Sequence, residues 1–260
     1  MQIELLNRLF HRDLSNPAHQ TNIHLHHQVA YGGPDNASAN YEPTSFFSVN
    51  PSTNLAAIDP TAHKPLSVRD TLQKRLRWMT LGGQYDWTAK EYPPSLPPPF
   101  PPDIANLLRR LFPSIEPQAA ILNLYSPGDT LSVHRDVSEA CDRDLVSVSI
   151  GCDALFIVGN EDGSKTATVR LRSGDAVCMS GPSRFAWHAV PKVFANTCPE
   201  SLRNWPAMGA DGEANFEQWH GWLANKRINL NVRQMAERDS ERSGGVLAFD
   251  RYRADENGCI

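Results

Sequence analysis

The chain has 260 residues, 40% hydrophobic and 21% charged, with a net charge of −4. It is long enough for one domain with a sizeable core, and its acidic balance excludes binding nucleic acid through a global basic field, so any such contact needs a local patch. No apolar run reaches the roughly 18 residues that span a bilayer and the start lacks a signal-peptide layout, so no membrane partner is expected.

In chain order, "MQIELLNRLFHRDL" predicts a short amphipathic helix with Ile3, Leu6, Leu9 and Phe10 on one side. "NIHLHHQV" crowds His24, His26 and His27, which reads as a polar loop or strand edge before it reads as a metal site. "VRDTLQKRLRW" predicts a second helix, with Leu72, Leu76 and Met79 at helical spacing. "EYPPSLPPPFPPD" has too many prolines for any regular element and predicts an extended linker or lid loop. "IANLLRRLFPS" predicts a helix closed by Pro113. From residue 119 the pattern becomes short alternating or apolar runs between turn signals: "AAILNLY", "TLSVHRDV", "LVSVSIG", "ALFIVG", "ATVRLRSGDAVCMSG", "SRFAWHAV" and "RINLNVRQ". Seven such runs predict a mainly β fold, a sandwich or jelly roll with flanking helices. After Gln234 the chain turns polar, as a tail would. Cys141, Cys152, Cys178, Cys198 and Cys259 are odd in number and form no CxxC. That points to a reducing intracellular compartment, nucleus and/or cytoplasm with the mitochondrion as a third option.

Within these runs, "LSVHRDV" places His134 and Asp136 two apart, on one face of a strand, with Arg135 on the other. A plain salt bridge would look the same. A second histidine, His188, stands late on another run, "RFAWHAV". Two imidazoles and one carboxylate form a facial triad, which leaves positions on iron(II) for O2 and an oxidisable co-substrate. Zinc accepts similar ligands, but no glutamate stands out as a hydrolytic base. "RINLNVRQ" adds the second requirement. Arg227, Asn229, Asn231 and Arg233 share one face, while Ile228, Leu230 and Val232 share the other. If the apolar face packs outward, two arginines enter the interior, where a buried cation needs an anion. They start about 20 Å apart on a strand, and their arms can converge on a short dicarboxylate such as 2-oxoglutarate.

"NLYSPGDTLSVHRD", "VSVSIG", "SGDAVCMSGPSRFAWHAV" and "RINLNVRQ", in that order, resemble the core of the AlkB family of Fe(II)- and 2-oxoglutarate-dependent dioxygenases. "LRWMTLGGQYDW" resembles the eukaryotic AlkB homologue one branch. The resemblance implies a double-stranded β-helix with an N-terminal nucleotide-recognition lid, and oxidative removal of methyl groups from nucleobase nitrogens with release of formaldehyde, succinate and CO2. The implied division is an N-terminal extension over 1–67, a lid and helix over 68–118, the jelly-roll core over 119–235 and a polar tail over 236–260. The resemblance also implies that His134, Asp136 and His188 hold Fe(II). Asn123, Tyr125, Arg227, Asn229 and Arg233 then contact 2-oxoglutarate, and Trp78 and Tyr85 contact the target nucleotide. Ser138 stands where the bacterial enzyme has an acidic residue that reads the base, so the choice among N6-methyladenine, 1-methyladenine and 3-methylcytosine stays open, as does DNA against RNA. The implied partner is methylated DNA or RNA, single-stranded or with a flipped base, met by a monomer. Two rival readings use the same residues: a protein hydroxylase or demethylase on this scaffold, and a non-catalytic nucleic-acid-binding module.

Overall fold

The structure, a computed structural model, describes residues 1–29, 45–93, 95–207 and 216–236. Its strands in chain order are β1 (His27–Gln28), β2 (Asn54–Ala57), β3 (Leu66–Ser67), β4 (Trp78–Gly82), β5 (Ala119–Tyr125), β6 (Leu131–His134), β7 (Leu145–Gly151), β8 (Ala154–Gly159), β9 (Thr166–Leu171), β10 (Ala176–Met179), β11 (Trp187–Val193) and β12 (Arg227–Arg233). Helices α1 (Gln2–Asn7), α2 (Val68–Asp70), α3 (Pro102–Leu111) and α4 (Glu200–Arg203) flank them. A five-stranded sheet runs β10-β7-β12-β5-β4 and a four-stranded sheet runs β6-β11-β8-β9, all neighbours antiparallel. These are the two walls of a jelly roll. A small third sheet orders β1-β2-β3.

The alternation in "RINLNVR" explains why β12 lies in the middle of the larger sheet. Ile228, Leu230 and Val232 are fully buried and join one hydrophobic cluster with Leu122, Val146, Ile150 and the N-terminal Leu6, Leu9 and Phe10. Each of those three side chains contributes about 1.5–3 kcal/mol by leaving water. That burial fixes register, because a one-residue slip would send the arginines into this cluster instead. β12 pairs along its whole length with β5 and β7, which sets Asn229 beside Asn123 and Asn231 beside Ser147. At one end Gly151 has φ +92, and a Cβ there would come within 2.3 Å of the Lys226 carbonyl oxygen. Only glycine lets β7 approach so closely where the chain enters β12.

Behind the larger sheet α1 continues into a π-helical turn, Arg8–Asp13, with Leu6, Leu9 and Phe10 buried and Ile3 packed at the edge. Phe10 and Phe47 meet Trp205 and Trp222 edge-on, at 5.0–5.5 Å between ring centres.

Three expectations need correction. Helix formation from Val68 stops at Arg75, with Leu76 already extended. Met79, read at helical spacing, instead lies on β4, which the sequence reading missed and which pairs with β5. All three apolar residues are buried, so the apolar pattern was right and the element changed under it, because β5 offers an open edge. The run "ATVRLRSGDAVCMSG" is two strands, broken at Gly174 with φ +95, and so belongs to both sheets. Finally, "SRFAWHAV" becomes strand only at Trp187, after a short turn over Gly181–Ser183. After the bridge at Glu91 the described residues of the proline-dense stretch form no helix or strand until Pro102 opens α3; α3 ends at Leu111, ahead of Pro113. Of the tail expected at 236–260, only Ala236 is among the described residues.

Candidate active site

Between the two sheets lies a cavity of about 350 Å³, lined from β5, β7, β10 and β12 on one side and β6, β8 and β11 on the other. β6 and β11 pair His134 directly with His188, so two strands far apart in sequence bring the imidazoles together, with ring centres 4.3 Å apart. β6 ends at His134 and Asp136 stands two residues beyond it. Alternation along a strand is therefore not what aims the carboxylate: Arg233, Asn231 and the local turn do. Arg135 also borders the cavity, its guanidinium 5.0 Å from the centre of the Trp187 ring.

The His134 and His188 Nε2 atoms lie 3.9 and 3.6 Å from the two oxygens of Asp136, and all three ligating atoms fall within 4.8 Å of one another. Among the described residues no other group of three such side chains converges. Each Nδ1 lies against a backbone carbonyl, Ser132 at 2.8 Å and Ala186 at 3.1 Å. A carbonyl only accepts, so both Nδ1 atoms donate, and both Nε2 lone pairs face the common centre. Burial pushes His188 below the ordinary imidazole value and keeps it neutral, as a ligand must be. Burial alone would raise Asp136; the Arg233 guanidinium, 2.7 Å away, leads the effects that outweigh it and hold the carboxyl below its usual range. Two imidazole nitrogens and one carboxylate suit a divalent transition metal.

Arg227, Asn229, Asn231 and Arg233 all line the cavity, as does Asn123. The two arginines differ. Arg233 sends one nitrogen to Asp136 at 2.7 Å and another to Glu139 at 2.9 Å. Arg227 is 1% exposed and finds only the Ser149 hydroxyl at 3.1 Å. Its Nε and Nη1 have no partner, and burial lowers its pKa. A buried guanidinium so placed calls for an anion. Tyr125 does not line the cavity; its buried ring lies 5.4 Å from the Arg227 guanidinium, and burial raises its hydroxyl to about 12.

The lid residues separate as well. Tyr85 and Ser138 line the cavity, their hydroxyls 3.4 Å apart. Trp78 does not line it. It is half-buried on β4, 5.2 Å behind Trp87, and Trp87 is the indole that borders the cavity with 44% exposure. Tyr85 meets Trp87 and Tyr92 edge-on at 4.9 and 5.2 Å. Lys90 stands at the same mouth, on a turn closed by the Asp86–Glu91 bridge and held by the Asp86 carboxylate accepting from Thr88 and Ala89 N–H groups.

The 2OG-Fe(II) oxygenase superfamily matches residues 50–233 of this chain. The N6-methyladenosine RNA demethylase ALKB1 of Pyricularia oryzae is 50% identical over 256 residues, covering 91% of this chain and 71% of that protein. The N6-methyladenosine RNA demethylase ALKBH of Cryphonectria parasitica is 49% identical, covering 82% of this chain and 99% of that protein. The solved structure of OsALKBH1 superposes with a TM-score of 0.50 at 23% identity, covering 60% of this chain and 77% of that one, which is a likeness of fold. This chain is a 2OG-Fe(II) oxygenase of the AlkB family.

Four residues of this oxygenase escaped the sequence reading. Trp87 and Lys90 had a weak signal, an aromatic and a cation inside "DWTAKEY", ahead of the prolines. Glu139 and Arg184 gave none. Glu139 is 8% and Arg184 1% exposed, and they pair at 2.8 Å. Arg184 also donates to the Asp136 carbonyl at 2.8 Å and the Arg143 carbonyl at 2.6 Å. An alternating chain of charges, Arg184, Glu139, Arg233 and Asp136, thus fixes the turn that carries the carboxylate ligand. Both Glu139 oxygens are taken by arginines, which removes it as a hydrolytic base.

Proposed function

We propose that this chain is an oxidative demethylase of N-methylated nucleobases, such as N6-methyladenine or 1-methyladenine, in DNA or RNA, using Fe(II), 2-oxoglutarate and O2. The reading takes it as a monomer acting on a single strand or a flipped base, in the nucleus and/or cytoplasm, with the mitochondrion as the other location. The observation that carries it is the juxtaposition in one cavity of three convergent ligand atoms, the buried Arg227 with two unpartnered nitrogens and the exposed Trp87. The names of the two fungal relatives make N6-methyladenine in RNA the first substrate to test.

His134, Asp136 and His188 would hold the iron. Arg227 would pair with the distal carboxylate of 2-oxoglutarate, with Asn123 and Asn229 around the co-substrate, Tyr125 packed against the Arg227 guanidinium and Arg233 orienting the carboxylate ligand. When bound, iron(II) supplies with O2 and 2-oxoglutarate the oxidation of the N-methyl carbon, whose products are succinate, CO2 and formaldehyde. This chain's own work is to hold the methyl near that centre and exclude bulk water. Tyr85, Trp87 and Ser138 at the mouth offer aromatic surface and a hydroxyl to a base taken out of its stack, with Trp78 supporting Trp87 from behind.

The test is incubation of the Fe(II)-loaded protein with 2-oxoglutarate and oligonucleotides carrying one modified base, in RNA and in DNA. Formaldehyde and succinate are measured together, and the nucleosides identified by mass spectrometry. Equimolar formaldehyde and succinate, with loss of the methylated nucleoside, is the expected result. Succinate without formaldehyde from every methylated oligonucleotide would defeat the reading.

A further inference from the structure

Lys226 directly precedes Arg227 on extended backbone, so the alternation that turns Arg227 into the active-site cavity sends Lys226 the other way. There it lines a second cavity, of about 340 Å³, between the segment after β5 and two short helical turns, Glu217–Trp219 and Trp222–Asn225. Lys226 is 8% exposed. Its ammonium has three N–H donors; the Gln73 carbonyl takes one at 2.8 Å, and the Trp222 ring lies below at 5.3 Å. No residue lining this cavity is an acid. The nearby Asp129 carboxylate is already paired with Arg77 and with the Ser126 N–H. Burial first, and then Arg77, pull Lys226 down to about 8 against the opposing effect of Asp129. The side chain is thus a buried cation without an adjacent counter-charge, open to solvent through a cavity.

The rest of the lining is suited to an anion. Lys74 stands at the rim with its side chain 72% exposed, in a loose pair with the exposed Asp70 carboxylate at 4.0 Å that an anion can displace. Asn225 uses its carbonyl oxygen to accept from the Asn196 N–H at 3.2 Å, which leaves its NH2 group as a donor. Ser126 adds a hydroxyl. Ammonium, amide and hydroxyl donors of this kind match a group with several terminal oxygens, and a tetrahedral phosphate is small against the space available. We propose that this cavity is a second anion site that takes a phosphate group, carried by a nucleic-acid strand or free in solution. The site does not depend on the demethylation reading, because none of its residues lines the active-site cavity.

The experiment compares the unsubstituted protein with Lys226→Met, which keeps the apolar stem over Trp222, with Lys74→Met at the exposed rim, and with Lys192→Met as a control outside this cavity. Inorganic phosphate is titrated by calorimetry, and binding of an unmethylated single-stranded oligonucleotide is followed against salt. Weakened phosphate binding in Lys226→Met and Lys74→Met, unchanged in Lys192→Met, is expected. If the phosphate belongs to a strand, the log–log salt slope for the oligonucleotide also falls by about 0.7 for each lysine removed. Loss of phosphate binding with an unchanged slope assigns the site to free phosphate. Unchanged behaviour of both probes in both variants overturns the proposal. Should Lys226→Met fail to fold, Lys74→Met decides on the same terms, since an exposed rim lysine does not carry the fold.

Discussion

Arg227 and Arg233 open and close the same strand, share its polar face and are both buried, yet the protein treats them in opposite ways. Arg233 is held by Asp136 and Glu139, with only its Nε unpartnered. Arg227 meets one hydroxyl and keeps two nitrogens without partners. Burial alone would lower the pKa of either; the carboxylates reverse this at Arg233, and Tyr125 does not suffice to reverse it at Arg227. One arginine is therefore part of the finished structure. The other carries a cost of desolvation that an incoming carboxylate can offset.

That difference has measurable consequences, the largest at the carboxylate both systems converge on. Asp136→Ala removes the charged metal ligand and one partner of Arg233 together. Metal affinity should fall by more than the roughly 10- to 100-fold typical of losing a supporting group, with succinate release abolished. Normal turnover at stoichiometric iron would break the assignment of the triad. Arg233→Met should cost about 3–5 kcal/mol of stability, because it leaves Asp136 and Glu139 buried without their shared cation, and thermal or denaturant unfolding without ligands would show it. Arg227→Met should do the reverse. Without ligands its melting temperature should hold or rise, since an unpaired buried charge is replaced by apolar volume. Its Michaelis constant for 2-oxoglutarate should climb about 10- to 150-fold, the equivalent of about 1.5–3 kcal/mol for a charge-assisted contact. Equal destabilisation by both substitutions would mean the two ends of β12 do not differ as described.

The same division, between a group already packed and one that faces the cavity, separates Trp78 from Trp87. Trp87→Ala should remove about 1–3 kcal/mol of binding to a methylated oligonucleotide and spare slow, uncoupled conversion of 2-oxoglutarate to succinate. Trp78→Ala should act mainly through loss of support, with a fall in melting temperature accompanying any loss of binding. If Trp78→Ala abolishes oligonucleotide binding at unchanged stability while Trp87→Ala does not, the stacking surface is Trp78 after all.

What the sequence made legible follows from the range of the forces involved. Alternation on β12 is a local, period-two pattern set by burial, so its four polar residues were placed on one face correctly from sequence alone. His134 and His188 could be grouped from sequence by residue type and family resemblance but not by any local pattern, because β6 meets β11 across a long separation that no such pattern encodes. β4 was read as the end of a helix because Leu72, Leu76 and Met79 satisfy helical spacing, whereas the open edge of β5 that recruits Met79 is a tertiary fact. Glu139 and Arg184 look like surface charges in sequence. Their burial depends on one another and on Arg233, so no single position announces it.

A half-buried imidazole shows what Arg227 cannot do. His11 lies in the aromatic cluster behind the larger sheet, stacked 4.8 Å from Phe216, with its Nδ1 2.6 Å from the Ser45 hydroxyl. Burial lowers it from 6.5 to about 4. An imidazole can shed its proton and escape the cost of a buried charge, whereas a guanidinium keeps its charge at any accessible pH. The sign follows from linkage. Between about 4 and 6.5 the unfolded chain binds a proton at His11 that the folded chain refuses, so stability is complete above 6.5 and declines as the pH falls through that window. Below about 4 this contribution is flat. His188 is also lowered by burial and contributes in the same direction. His11→Gln should therefore flatten part of the fall in melting temperature between pH 6.5 and 4 while leaving succinate release at neutral pH unchanged, because His11 lies outside the active-site cavity. An unchanged pH profile in His11→Gln, or an NMR titration placing His11 near 6.5, would show that this histidine is solvated and that burial does not set its charge.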